Sequence, residues 1–436
     1  MKRRKYVLTA VMFLIAALVI CFTLPQLAEP RFQVENKIRS LLHRYDLTSR
    51  ADAYEIRQIM TQDPSTSRTL MWQSQDEDNR ALAEIRKKGE KASQVVPATS
   101  SVFTDNGVTR HLHTAMVTGL TPGTSYEYRV GNDRKRSPWM PLETPAQGSF
   151  SALIFPDSQS ADYSGWKALA QKAFKDHPDV SFFVNMGDLV DNGEHAYQWD
   201  AWFDALQGVI ERIPVAPLLG NHETYTLDWK VRRPLAYLQL FQLPAGDARY
   251  AGEFYSFDVG EVHFTVLNTQ DSELKAWEPN LLKDEAEWLR RDLAGTKKKW
   301  KVVLMHRDVL QYGFASRPTP REEGFSDTGR FFMPIFDEAQ VDAVLTAHLH
   351  TFRDRGHIKG FRRDETGPLY LLTGVAGDVQ YPGLWKQHAL DKMVAPQPED
   401  RNYLLLRASN EALEFICYDK NGRKMHAVRC KMKLNS

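Results

Sequence analysis

The sequence predicts a large α/β domain over residues 146–436, behind a small all-β module over residues 53–145. An apolar N-terminal helix over residues 1–30 and a short stalk or spacer over residues 31–52 precede them. Three observations predict this. From Ser149 onward, short β-branched runs alternate with segments of helical spacing, the pattern of strands layered against helices. Before that, strand-like runs are broken by turn residues, and at the start the run from Tyr6 to Leu27 carries no charge. With 42% hydrophobic and 25% charged residues in a 436-residue chain, sizeable cores can be buried. Lys plus Arg (56) nearly equals Asp plus Glu (55), a net charge of +1. No global field draws in nucleic acid, no nucleic-acid binding is implied, and any anion site must be local.

Lys2, Arg3, Arg4 and Lys5 stand ahead of the uncharged run. About 20 apolar residues cross the hydrocarbon of a bilayer, whereas a cleaved signal has an apolar region of roughly 7 to 15. The run therefore reads as an uncleaved signal anchor. Gln26, two places before Ala28, spoils the small-residue cleavage pattern, and Ile20 before Cys21 does not fit a lipidated cysteine. The four cations keep the N-terminus cytoplasmic, although Arg31, Lys37 and Arg39 weaken the asymmetry. The expectation is a single-pass protein of the cell membrane with its body outside the cytoplasm.

In the β module, Glu55 to Thr61 and Arg68 to Gln73 are strand-like and separated by Asp63-Pro64-Ser65. His113, Ala115, Val117 and Leu120 alternate before Thr121-Pro122-Gly123, and Tyr126, Tyr128 and Val130 follow it, which suggests a sandwich. In the α/β domain the runs SALIF, SFFVNM, IPVAPLL, HFTVLN, KVVLM, VDAVLTA and LYLLTG read as strands. Trp166 to Phe174, His195 to Ile213 and Leu281 to Leu293 read as helices. The C-terminal strands turn at Asn421-Gly422, a hairpin signal. Cys417 and Cys430 flank that hairpin at offsets that do not place them opposite each other, so no bridge is predicted.

Polar residues fall immediately after the strands. SALIF leads to Asp157 and Gln159, SFFVNM to Gly187-Asp188-Leu189-Val190-Asp191, and IPVAPLL to Gly220-Asn221-His222-Glu223. VVLM leads to His306, and AVLTA to His348-Leu349-His350. In an open α/β sheet ligands sit outside the carboxyl ends of the strands, so these side chains can meet. Asp157, Asp188, Asn221, His306, His348 and His350, with Gln159 as an extra oxygen donor, form a mixed oxygen and nitrogen set. Such a set suits two ions of Mn, Fe or Zn better than Ca or Mg. A carboxylate can bridge two cations about 3.5 to 4 Å apart, which together activate water and neutralise a phosphoryl group. The predicted chemistry is two-metal hydrolysis.

At these residues the sequence resembles the calcineurin-like metallophosphoesterase superfamily, whose pattern is Asp-x-His, Gly-Asp-x-x-Asp, Gly-Asn-His-Glu/Asp, a lone His, and Gly-His-x-His. The resemblance runs from about Ser149 through the last motif. It implies a four-layer sandwich of two β-sheets flanked by helices, with a dinuclear site of divalent or mixed-valence ions at one end. It further implies that Asp157 and His350 bind the first metal, that Asn221, His306 and His348 bind the second, and that Asp188 bridges both. His222 would contact the scissile phosphate and protonate the leaving oxygen, with Asp191 orienting it. From Ala53 to Pro145 the chain resembles the fibronectin-III-like N-terminal domain of purple acid phosphatases, through His113-Thr114-Ala115, Gly119-Leu120-Thr121-Pro122-Gly123 and Tyr126 to Gly131. The run from His348 to Arg353 looks like that family's last motif. The resemblance is thus to bacterial purple acid phosphatase-like proteins.

Several positions depart from the pattern. Gln159 stands where many members carry a ligand histidine, and a neutral amide is a poorer donor. Asp191 takes the place of the tyrosinate behind the purple colour, so no charge-transfer band is expected. Asn192 stands where serine/threonine protein phosphatases carry an arginine, and Ala347 replaces a glycine. The leading expectation is an extracytoplasmic, acid phosphatase-like phosphomonoesterase acting on a phosphate ester through a metal-bound hydroxide. The alternatives are phosphodiesterase or nucleotidase activity, or a surface binding protein with a weakened site. Arg307, Arg353 and Tyr381 are candidate residues of the substrate cleft, and the oligomeric state stays open.

Overall fold

The computed structural model describes residues 52–75, 80–315 and 321–431, together with Val34, Lys37, Ile38, Ser40 and Leu41 in helical conformation. The predicted membrane anchor lies outside the described residues. Among the described residues no helix is long and apolar enough to cross a membrane.

Period-two alternation decides which way each strand faces. Phe182 and Phe183 are neighbours in the strand Phe182–Asn185 and point to opposite sides. Phe182 meets Phe257 and Phe264, both at 5.5 Å, while Phe183 meets Phe174 of the helix Ser164–Asp176 at 5.3 Å. The first contact joins two sheets face to face and the second lays a helix on the outer side. Phe150 and Phe155 divide in the same way, one packing on Phe264 and the other on Trp166. The helices Leu281–Gly295 and Asp327–Glu338 pack together, the former against the strand Val262–Leu267 of the second sheet. The result is a mixed α/β fold of helices, sheet, sheet and helices around one apolar core.

In the first sheet the strands Phe150–Phe155, Phe182–Asn185 and Val215–Pro217 run parallel, and the C-terminal strands Asn402–Ala408, Ala412–Asp419 and Lys424–Lys431 extend it antiparallel. In the second, Val262–Leu267, Trp300–Met305, Ala343–Thr346 and Leu369–Gly374 are parallel. The parallel register brings the carboxyl ends of each set to one edge of its sheet.

The all-β region is a sandwich with its own core. Strands Tyr54–Ile59, Ser67–Ser74, Val108–Thr118 and Thr99–Asp105 form one sheet, and Gln94–Pro97, Leu82–Lys87, Ser125–Gly131 and Met140–Glu143 the other. Leu70, Trp72, Ala115 and Val117 face Ala83, Ile85, Tyr126, Tyr128 and Val130 between them. The first of these sheets does not end at the module. Ile59 pairs in parallel with Val215, Met60 N donates to Val215 O at 2.9 Å, and a ten-stranded sheet runs through both modules. Arg110 crosses the same boundary, buried, to Asp200 at 2.5 Å and to the Ala196 carbonyl at 3.0 Å.

The predicted helix from His195 to Ile213 is an α-helix only over Ala196–Ala205. Gly208 at φ 80° sits in the turns that follow, and those turns present the Ile210 carbonyl to Gln58 N. The predicted hairpin is present, with Gly422 at φ 78° in its turn. Cys417 lies opposite His426 and Cys430 opposite Leu413, and both thiols are free and buried.

Candidate metal centre

Five loops carry the polar residues, each following a parallel strand. Asp157 follows Phe150–Phe155, Asp188 follows Phe182–Asn185, Asn221 and His222 follow Val215–Pro217, His306 follows Trp300–Met305, and His348 and His350 follow Ala343–Thr346. Tight backbone geometry lets them converge. Asp188, His348 and His350 adopt φ values of 50°, 74° and 52°, in the left-handed region that non-glycine residues occupy at a cost of order 1–3 kcal/mol each. Gly187 and Gly220 have no room for a side chain. A Cβ on Gly187 would lie 2.6 Å from His306 Nδ1, and one on Gly220 would collide with Asp188.

Two clusters result. Donor atoms of Asp188, His306 and His348 lie within 4.8 Å of one another, as do those of Asp157, Asp188 and His350, so Asp188 is common to both. His306 Nε2 is 3.1 Å from Asp188 Oδ2 and 3.2 Å from Asn221 Oδ1, and His350 Nε2 is 3.5 Å from Asp157 Oδ1. The backbone fixes which ring nitrogen faces inward. His306 Nδ1 donates to the Met186 carbonyl at 2.9 Å and His350 Nδ1 to the Val379 carbonyl at 2.6 Å, which aims both Nε2 lone pairs at the carboxylates.

These residues fit metal ions. Among the candidate donor residues, Asp188 Oδ2, Gln159 Oε1 and His348 Nδ1 are buried without a hydrogen-bond partner. Such orphans cost free energy unless something else satisfies them. Burial, with His306 nearby, holds His348 well below the ordinary histidine range, leaving a neutral imidazole ready to donate its lone pair. Burial raises Asp157, whereas for Asp188 the neighbouring histidines outweigh burial and keep it ionised.

His222 stands at the side of the clusters. Its backbone N–H donates to Asp188 Oδ1 at 2.9 Å, and its Nδ1 donates to the Asp191 main-chain carbonyl at 2.7 Å. The Asp191 carboxylate is farther from Nδ1, at 3.4 Å, so the carbonyl is the closer orienting group. Gln159 Nε2 lies 3.2 Å from His222 Nε2 and 3.4 Å from Asp191 Oδ1. Burial opposes charge on His222, but Asp188 and Asp191 outweigh it and raise it to about 10.

Sequence reasoning gave Glu223 no role, and the structure does. Its buried carboxylate accepts from the backbone N–H groups of Asp188, Leu189, Val190 and Gly220, tying the Asp188 loop to the Asn221 loop. Gln198 likewise accepts from Asp191 N and Asn192 N, both at 3.0 Å. The residue type was visible in Gly-Asn-His-Glu; its main-chain partners were not. Among the cleft candidates, Tyr381 lies against His350, with centroids 5.0 Å apart. Arg307 Nε donates to Gln270 Oε1 at 3.2 Å, and its guanidinium also pairs with Glu273. Arg353 lines one pocket with His350 and Tyr381, and is buried there in an ion pair with Asp391 at 2.5 Å, which commits its charge inside the protein.

With this geometry in view, two family profiles match the chain. Residues 54–144 match "Purple acid Phosphatase, N-terminal domain" and residues 152–352 match "Calcineurin-like phosphoesterase". Purple acid phosphatase 23 of Arabidopsis thaliana is 23% identical over 368 residues, covering 76% of this chain and 75% of that protein. Purple acid phosphatase 15 of the same plant is 22% identical over 340 residues, covering 70% of this chain and 60% of its own length. A purple acid phosphatase structure from yellow lupin seeds superposes with a TM-score of 0.69 at 17% identity, over 87% of this chain and 74% of that one. At that identity the structural likeness fixes the fold alone.

Proposed function

Since residues 152–352 match the calcineurin-like phosphoesterases and residues 54–144 the purple acid phosphatase N-terminal domain, we propose that the chain hydrolyses phosphate monoesters outside the cytoplasm, held to a membrane by its N-terminal segment. One observation carries the reading: Asp188 is shared by two donor clusters, the arrangement that a pair of adjacent cations requires. The first would lie with Asp157 and His350, the second with Asn221, His306 and His348. Bound there, such ions supply charge neutralisation for a phosphoryl group and activation of water.

The chain's own residues do the rest. Glu223 holds the Asp188 and Asn221 loops at fixed separation, which preorganises the donors. His222, its Nδ1 committed to the Asp191 carbonyl, keeps a proton available at Nε2 for the departing alkoxide. The Gln159 amide nitrogen lies 3.2 Å from that same nitrogen, beside the proton it would deliver. The location rests on the basic flank Lys2 to Lys5 and the uncharged run after it.

Gln159 also motivates a second reading, a surface binding protein whose phosphoesterase site has weakened. The full chain in mild detergent, loaded with Mn, Fe or Zn, separates them on a chromogenic phosphomonoester and a diester. Turnover of the monoester that Asp188→Ala reduces more than about a hundredfold, together with loss of bound metal, is the expected result. Full metal content with no turnover of either ester refutes the enzyme reading.

A further inference from the structure

Two aromatic rings enclose one side of His222. The centroids of Tyr225 and Trp229 lie 5.6 and 5.5 Å from that of the imidazole, edge-on at 87° and 89°, and 5.8 Å from each other. They sit on a tight loop. Tyr225 bridges to Val231, Thr226 N donates to Lys230 O at 2.9 Å, and Trp229 N donates to Thr226 O at 2.9 Å. Trp229 has φ 60°, a left-handed conformation that a bulky residue rarely adopts. The loop is braced from several directions. Arg232 donates to both carboxylate oxygens of Asp105 at 3.0 Å, Asn192 Nδ2 donates to Thr226 O at 3.0 Å, and Lys37 pairs with Asp228. Core tryptophans of this chain, such as Trp166, Trp202 and Trp300, are fully buried, whereas Trp229 and Tyr225 are only half-buried. A strained, braced and partly exposed tryptophan beside the proton donor is therefore placed for something other than filling a core.

We propose that Tyr225 and Trp229 are the specificity-determining wall of the leaving-group subsite, and that the preferred substrates are phosphate monoesters whose alcohol carries a planar aromatic ring. This rests on the phosphomonoesterase reading. A leaving oxygen that takes its proton from His222 Nε2 must come within hydrogen-bond reach of it, which brings the attached alcohol against the two rings. A planar group gains ring contacts there, and a small polyol does not. An aryl alcohol and a nucleoside share this chemistry.

The test uses the metal-loaded full chain and measures kcat/KM for 1-naphthyl phosphate, adenosine 5′-monophosphate and glycerol 2-phosphate. Trp229→Gly removes the ring at a φ that glycine accepts freely, so the loop is retained, and Trp229→Phe keeps a ring. The expected result is that Trp229→Gly lowers the preference for a ring-bearing ester over the glycerol ester about tenfold, while Trp229→Phe largely keeps it. A fall confined to the naphthyl ester assigns aryl alcohols, and a fall shared by the nucleotide extends the wall to nucleosides. Preferences unchanged by Trp229→Gly, or all three esters falling together, overturn the proposal. Calorimetric affinities for 1-naphthylphosphonate against methylphosphonate test the wall without turnover. A wild type that binds the naphthyl compound preferentially yet hydrolyses no ester defeats the enzymatic reading and leaves the wall standing.

Discussion

At the level of single residues, the chemistry turns on which atom of His222 is free. Nδ1 is held by the Asp191 carbonyl, so only Nε2 can serve a departing oxygen. Replacing His222 by Asn is expected to lower kcat on an alkyl ester such as glycerol 2-phosphate by about 10²–10⁴-fold. The loss should be much smaller on 4-nitrophenyl phosphate, whose leaving oxygen needs little protonation, and metal content should stay at the wild-type level. Equal losses on both esters would remove the proton-donor role. Asp157, Asp188, Asn221, His306, His348 and His350 were legible in the sequence because each ends a strand-like run, and the structure brings them to one edge. What makes them a site was less legible. The Met186 and Val379 carbonyls that orient the imidazoles, and the backbone N–H groups that Glu223 gathers, are main-chain groups whose positions no residue type announces.

Among the elements, the strand Val262–Leu267 and the helix Leu281–Gly295 are joined by a buried histidine. His263 Nδ1 lies 2.7 Å from Asp258 Oδ1 and its Nε2 lies 2.9 Å from Asp292 Oδ2. Burial opposes the charged ring, but Asp258 and Asp292 outweigh it and raise His263 to about 9. A histidine raised on folding contributes stability that is fully present below its unfolded value near 6.5 and fades as pH climbs through about 9. His263→Gln is thus expected to cost roughly 1–3 kcal/mol in urea unfolding at pH 6, with Asp258 partly exposed and its share screened. The cost should shrink at pH 9.5, and a pH-independent cost would show that the charge is not what holds the two elements. Strand existence could be read from alternation, as Phe182 and Phe183 show by facing opposite layers. Element length could not, because a helical period continues past Ala205 in the sequence while the chain turns away around Gly208.

Across the whole molecule, the β sandwich reaches the catalytic edge. Asp105, next to the turn between Thr99–Asp105 and Val108–Thr118, grips Arg232 of the loop that carries Trp229. Asp105→Ala is expected to lower kcat/KM about three- to tenfold with metal content unchanged, since breaking a two-point Arg–carboxylate contact loosens the loop rather than the ligands. An unaltered kcat/KM would confine Asp105 to a supporting role in its own module. Composition and local pattern separated the two modules because each has its own core. They could not reveal that Ile59 pairs with Val215, since strand pairing over so long a separation leaves no local trace. That continuity constrains anyone trimming the gene. A clone opening at the second module would strip the lateral cover from Val215–Pro217 and leave Asp200 without its guanidinium, offering a raw rim to which other copies can zip. The dispensable-looking preface covers an edge that the catalytic half would otherwise expose.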